Sequence, residues 1–535
     1  MYDYILKNGY VVVGDGMKAK IADLAIGDGK IREISEHINK PAKNILDVSG
    51  KYVTPGFIDI HRHADVKLFA KDFGELEVRQ GLTTIINGNC GLSVVPCPAS
   101  HKEDIHRFLK PVIGNVPSGV YFDDFSSYRR EAELQELPVN VGMLIGNGTI
   151  RAAVIGYQTG KLSLEEKERA RAYLESSLEA GALGVSLGIV YAPEYNYDLE
   201  DFVDVLWPMR RYQVPLLTHI RGEGDTICEA LEEVIEIARR LEVPLHVSHL
   251  KIIGARNWGT KSEKALEMLT KARASGMEVT YDLYPYTAGS TQLIQILPPE
   301  YLEGGLDQIT ARLQVKEERE ALTAILKMPS THFENLVSSI GWNNIYPTTM
   351  HQQQNQLFIG KSIEEIAILQ EKDPYECAYD LLIEENCGIS MIDYIASEED
   401  IIRIMKDPYS SIISDTVYPE GGLPHPRMYG TFPRILQNYV KEQKVLTIEE
   451  AVRKMTSLPA EVFHLSGKGM LKPGMDADIN VFDLEKIETK ASYREPIHMA
   501  TGFSYVFVNG VITVCQDQYL GSKAGIFITR RTGGE

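Results

Sequence analysis

The sequence predicts an α/β fold on a parallel sheet, open or closed, with a small β-rich domain built from both ends of the chain. Two observations carry this. The middle alternates apolar strands with amphipathic helices, and each terminus is a series of short strands parted by turn signals. Length agrees: 535 residues suit one large barrel with additions as well as about three or four ordinary domains.

At the start, residues 4–6, 10–13, 21–26 and 30–34 read as strands between Asn-Gly, Gly-Asp and Gly-Asp-Gly turns. At the end, 478–482 and 505–508 are apolar runs, and Asn509-Gly510 marks a hairpin before 511–515. In the middle, Ser163 and Glu166 form a capping box for a helix that Gly181 ends. Strands follow at 182–187 and 216–220. Asp225 is placed to cap a helix with Ile227, Leu231, Val234, Ile235 and Ala238 on one face. Strand 245–250, helix 261–274 and strand 278–283 continue the rhythm. Residues 298–390 break it: they are helix-rich, contain Trp342 and Gln352-Gln353-Gln354, and read as an insertion. The expected division is 1–54 with 468–535 as a small β-sandwich, and 55–467 as the strand–helix domain.

Composition excludes several classes. Hydrophobic residues at 44% and charged residues at 24% are globular usage, not disorder. Lys plus Arg is 55 against 74 Asp plus Glu, a net charge of −19, which argues against nucleic acid and anionic membranes as partners. No apolar run is long enough to span a bilayer, and the start lacks a signal-type segment. The six cysteines (Cys90, Cys97, Cys228, Cys377, Cys387, Cys515) follow no framework spacing. A reducing, cytoplasmic setting with free thiols is expected.

The chemistry lies at strand ends. Phe57-Ile58-Asp59-Ile60 runs into His61-Arg62-His63, and residues two apart on a strand share a face, so both imidazoles can address one metal. Without other residues, a pair of surface histidines explains the motif equally well. His219 ends strand 216–219 and His249 ends 245–249, one strand–helix–strand unit apart. A parallel sheet puts both at its carboxyl edge, where such folds hold active sites. Asp415 ends the run 411–415, and Cys90 follows 82–89. Imidazole and thiolate together suit zinc, although a cysteine alone is usually core. His246 is assigned to packing or to supporting His249.

These stretches resemble the amidohydrolase superfamily, and within it the N-acyl-D-amino-acid deacylases. The supporting motifs are Gly88-Asn89-Cys90-Gly91, Thr218-His219-Ile220-Arg221-Gly222-Glu223, Ser248-His249-Leu250-Lys251 and Pro424-His425-Pro426-Arg427, with Gly474-Met475-Asp476-Ala477-Asp478 near the end. The resemblance implies a (β/α)8 TIM-type barrel over 55–467. It implies a tight zinc on Cys90, His219 and His249, and a weaker second position on His61 and His63 that can share Cys90 and Asp415. Arg62, where relatives commonly carry a small polar residue, is expected to change the charge of that second position. The implied reaction is zinc-assisted hydrolysis of an N-acyl-D-amino acid. Zinc lowers the pKa of its water to about 7, Asp415 acts as base and then acid, and Tyr191 stabilises the oxyanion. Lys251, Tyr284 and Ser290 match residues that bind the substrate α-carboxylate. Relatives preferring acidic side chains carry an arginine where this chain has Ile296, so a neutral, apolar D-side chain is expected. Arg427 and Arg434 read as anchors of the loop after Asp415. Two alternatives stand beside this: a cyclic-amide hydrolase of the dihydroorotase or hydantoinase type, which Cys90 in place of a carbamylated lysine disfavours, and a non-catalytic barrel. Oligomeric state is open, the β-rich domain offering an interface.

Overall fold

The structure, a computed structural model, describes residues 1–530. Residues 531–535, the end of the 468–535 segment assigned above to the β domain, lie outside the described residues.

Eight parallel strands follow one another: Phe57–Asp59, Leu82–Asn87, Asn140–Met143 with its continuation Ile145–Gly146, Val185–Gly188, Leu216–His219, Leu245–Val247, Val279–Leu283 and Ser410–Ile412. They pair in chain order as two runs. Backbone hydrogen bonds cross both gaps. Leu144 N donates to Asn87 O and Leu183 N to Met143 O, each at 2.9 Å, while Asp415 N donates to His61 O and His63 N to Thr416 O, each at 3.0 Å. The strands are buried on both faces; Leu82–Asn87 has no exposed residue, as a parallel sheet covered by helices requires.

The helices form for the reasons their sequences suggest. Ser163 Oγ accepts from Glu166 N at 3.3 Å, and Glu166 returns the bond to Ser163 N at 2.7 Å, opening Leu164–Glu179. Ile227–Leu241 turns Ile227, Leu231, Val234 and Ala238 inward. Asp225 does not cap it. Its carboxylate is instead taken by the Arg256 guanidinium and by Asn257 Nδ2 at 2.8 Å, a charge-assisted pairing that outcompetes a backbone amide.

The two ends of the chain meet in one mixed nine-stranded sheet. Tyr52–Pro55 and Ile479–Phe482 pair antiparallel, Val53 opposite Val481. Within the expected β-sandwich domain, Leu24 and Ile26 meet Ile479, Val481 and Phe507 in a single apolar cluster, so strands from both ends of the chain share one core.

Between the seventh and eighth barrel strands, helices such as Lys316–Leu326 and Pro374–Glu384 accompany a three-stranded antiparallel sheet, Ala288–Gln292, Ser390–Tyr394 and Ile345–Pro347. This segment stands at the carboxyl edge of the barrel, and Ser290, Glu334 and Asp393 reach the site from it.

Arg62 departs from its expected role. Its side chain turns away from the two histidines into a buried cage. There it donates to Asp59 at 3.1 Å, Glu77 at 2.9 Å, Ser414 Oγ at 3.2 Å and the Tyr418 hydroxyl. Its charge is met by two carboxylates of the first strand and the helix after it, and its bonds to Ser414 and Tyr418 cross the seam between first and last strands. The variant Arg62→Met would strand Asp59 and Glu77 in the interior. Denaturant unfolding should then lose about 3–5 kcal/mol; a loss below about 1 kcal/mol would show that the cage does not hold the seam.

Candidate metal centre and active site

Cys90 sits at the centre. Its sulfur lies 3.2 Å from His61 Nε2 and 3.5 Å from His249 Nε2. Two buried triads have donor atoms close enough for one ion each: His61, His63 and Cys90, and Cys90, His219 and His249. Strand ends deliver all of them to one edge. His219 is the last residue of its strand, and the ring of His249 meets that of His219 at 4.4 Å between centroids. Burial opposes a thiolate at Cys90, but His61 and His249 beside it hold the thiol well below its usual range. The buried Nδ1 atoms of His61, His63 and His219 have no hydrogen-bond partner among the described residues. A thiolate shared by two imidazole sets is a donor arrangement that fits zinc.

Backbone shape makes this convergence possible. Cys90, His249 and Asp415 have φ of 55°, 35° and 51°, a region that costs non-glycine residues about 1–3 kcal/mol each. Glycines make room for the Cys90 turn. A Cβ on Gly188 would collide with the Cys90 carbonyl oxygen, and one on Gly91 with Glu194. Glu194 accepts from Gly188 N and from Asn147 Nδ2, both at 2.7 Å. Burial raises its carboxyl to about 7.

Asp415 faces the His-X-His pair: its Oδ1 is 3.4 Å from His61 Nε2 and from His63 Nε2. Burial disfavours its charge, yet Arg427 and His61 hold the carboxyl well below the usual range. Arg427, read from sequence as a loop anchor, is part of the site. Its Nη1 lies 2.9 Å from Asp415 Oδ2, and its Nη2 donates to Ser290 O at 3.1 Å. Arg434 does anchor, donating to Pro285 O at 2.8 Å.

A cavity opens over these groups, and Tyr191, Lys251, Tyr284 and Ser290 all line it. Tyr191 packs edge-on against His219, and its hydroxyl is 3.2 Å from Thr291 Oγ1. Burial, with Cys90 nearby, keeps that phenol protonated well above the usual range. Tyr284 lies between Lys251 and Arg427, 5.8 and 4.8 Å from its ring centre. Ile296 is absent from the cavity. It is buried in the main core, and Gln295 lines the wall instead, because a short 3-10 turn, Leu293–Ile296, replaces strand alternation here.

Three further residues belong to the site. Glu223 Oε1 is 3.0 Å from His249 Nδ1 and accepts from Lys251 Nζ at 2.6 Å, so one carboxylate serves a candidate ligand and a cation of the cavity. Asp282 takes the His249 backbone amide and lies 2.9 Å from His246 Nε2. His246 therefore supports the site from behind. Glu223 follows His219 by four residues and Asp282 lies near the end of a barrel strand; both positions were visible signals.

A family model described as "Amidohydrolase family" matches residues 44–514. The chain belongs to this family. It is similar to the D-aminoacylase of Alcaligenes xylosoxydans xylosoxydans, 30% identical over 530 residues, 99% of this chain and 98% of that one. Among solved structures, one reported for the binuclear metal centre of D-aminoacylase superposes with a TM-score of 0.83 at 30% identity, covering 99% and 100% of the two chains. The N-acyl-D-glutamate deacylase of Bordetella bronchiseptica, complexed with zinc and a phosphonate inhibitor, gives 0.83 at 29%, covering 99% of each. The fold of this amidohydrolase is the TIM barrel with an added domain.

Two variants test the architecture. Gly188→Ala should displace Cys90 and empty the site, read as zinc content per chain with unchanged circular dichroism; full zinc occupancy would contradict the wedge. Glu223→Gln should weaken zinc binding by about 10- to 100-fold in competition with a chromophoric chelator. Unchanged affinity would mean that Glu223 does not orient His249.

Proposed function

We propose that this amidohydrolase cleaves the amide bond of N-acyl-D-amino acids, releasing a carboxylate and a free D-amino acid. The observation that carries the reading is the Cys90 sulfur between His61 and His249, with Asp415 opposite and paired with Arg427, beneath a cavity lined by Lys251. The likeness to D-aminoacylase over nearly the whole chain supports it.

Cys90, His219 and His249 would hold a zinc ion, and His61 and His63, with Cys90 and Asp415, a second divalent ion. When bound, such a metal supplies Lewis-acid polarisation and an acidified water. The protein groups do the rest. Asp415, ionised and fixed by Arg427, takes a proton from water as its oxygen adds to the amide carbon. It returns that proton to the nitrogen as the carbon–nitrogen bond breaks. Tyr191, still protonated, donates a hydrogen bond to the oxygen on which negative charge develops. Lys251, Tyr284 and Ser290 receive the α-carboxylate, and Arg427 adds positive charge beside Asp415. Leu92, Val112, Ile253, Leu336, Ile395 and Val417 complete the walls, which favours a neutral D-side chain.

The test is primary-amine release by zinc-loaded protein on parallel N-acetyl-D and N-acetyl-L panels, with hydantoin and dihydroorotate alongside. Turnover of D substrates alone is expected. Turnover confined to L or cyclic substrates would discard the reading. In the same assay Asp415→Asn should lower kcat by about 10²–10⁴-fold with zinc retained, and Lys251→Ala should act mainly on KM. An Asp415→Asn enzyme with near-normal kcat would remove it as the proton carrier.

A further inference from the structure

The cavity lining is uneven in chemistry. Leu92 and Val417, apolar, stand two residues from Cys90 and Asp415. Gln295 and Glu334 line the cavity with Ile253, and Glu334 accepts from the backbone amide of Glu223, whose carboxylate pairs with Lys251. This wall therefore adjoins the cation assigned to the α-carboxylate. A D-amino acid carries its carboxylate and side chain on one carbon, whereas the acyl group lies across the amide, so a side chain beside that carboxylate meets Gln295 and Glu334.

That wall is poorly satisfied. Gln295 Nε2 is buried with no hydrogen-bond partner among the described residues. Glu334 spends one oxygen, Oε2, on the amides of Glu223 and Gly224, both at 2.8 Å. Its Oε1 takes no hydrogen bond among the described residues, and the residue lines the cavity. A buried, unmet donor on Gln295 and a carboxylate oxygen of Glu334 open to the cavity, on one wall, describe what the ligand brings. The surrounding charge excludes an acid. Asp393, also in the lining, has a buried, unpartnered Oδ1. Lys251, the cation of the lining, is already paired with Glu223 at 2.6 Å, and Arg427, outside the lining, with Asp415 at 2.9 Å. A second carboxylate on the substrate would meet Glu334 and Asp393 with no free cation.

We propose that this wall selects a D-side chain ending in a carboxamide, its carbonyl accepting from Gln295 and its NH2 donating to Glu334. The substrates are N-acyl-D-glutamine and N-acyl-D-asparagine. The assignment deepens the deacylase reading and rests on it. Burial raises the Glu334 carboxyl to about 7, which marks the same lack of a cationic partner.

The experiment is kcat/KM of the zinc enzyme for N-acetyl-D-Gln, D-Asn, D-Leu, D-Met, D-Glu and D-Arg, repeated with Glu334→Gln and Gln295→Leu. One carboxamide substrate should exceed D-Leu and D-Met by about tenfold or more, one well-made hydrogen bond's worth, and D-Glu by a larger factor. Each variant should lower the ratio of carboxamide to D-Leu by about tenfold. Gln295→Leu stands clear of the Glu223 loop, so it keeps the test alive if Glu334→Gln loosens that loop. Equal or better turnover of D-Leu overturns the proposal, as does a ratio unmoved by both variants. A preference for D-Arg overturns it in favour of a cationic ligand. Failure on every N-acetyl-D substrate strikes the deacylase reading itself.

Discussion

The left-handed turn at Cys90 is the constraint on which the site depends. A thiolate reaches two histidine sets only if the chain reverses sharply after the second strand, and the reversal needs neighbours without side chains. Gly188 and Gly91 leave that room, and Glu194 fastens the Gly188 amide from behind. The strain at Cys90, His249 and Asp415 is about 1–3 kcal/mol apiece. It is offset by a barrel that is buried throughout and laced by backbone bonds, so the scaffold can hold three unfavourable residues at one edge.

Charge balance governs what surrounds that turn. The interior gathers Cys90, Asp415, Glu223, Asp282, Asp393 and Glu334 within reach of Lys251, Arg427 and the histidines. Each anion with a cation beside it has a task that pairing makes possible: Asp415 stays ionised by Arg427, and Glu223 by Lys251. Asp393 and Glu334 lack such partners, and burial raises both, Asp393 to about 6. The contrast divides the cavity into a half arranged for proton transfer and a half arranged for recognition.

Legibility from sequence followed the same division. His61, His63, His219, His249, Cys90 and Asp415 each end an apolar run, and a parallel sheet gathers strand ends by rule, so their meeting was readable without coordinates. Arg427 was not readable: a helix begins at that residue, where arginine commonly serves as an anchor, and only the fold brings it to Asp415. Ile296 was taken from the position where relatives carry an arginine; it packs in the core, and in the 3-10 turn Leu293–Ile296 it is Gln295 that lines the cavity. Asp225 carried a capping pattern that Arg256 overrode.

Glu334 and Asp393 show why specificity was the least legible property. Both come from the segment between the seventh and eighth strands, far in sequence from the histidines, and no local period marks them as inward-facing. The catalytic groups sit on strands whose register the barrel dictates, where a shift of one residue would turn a ligand away. The recognition groups sit on short turns and an edge sheet, where a shift such as Ile296 to Gln295 changes the wall and leaves the barrel intact. Proton chemistry is thus tied to the part of the fold that register fixes and substrate choice to the part that can vary.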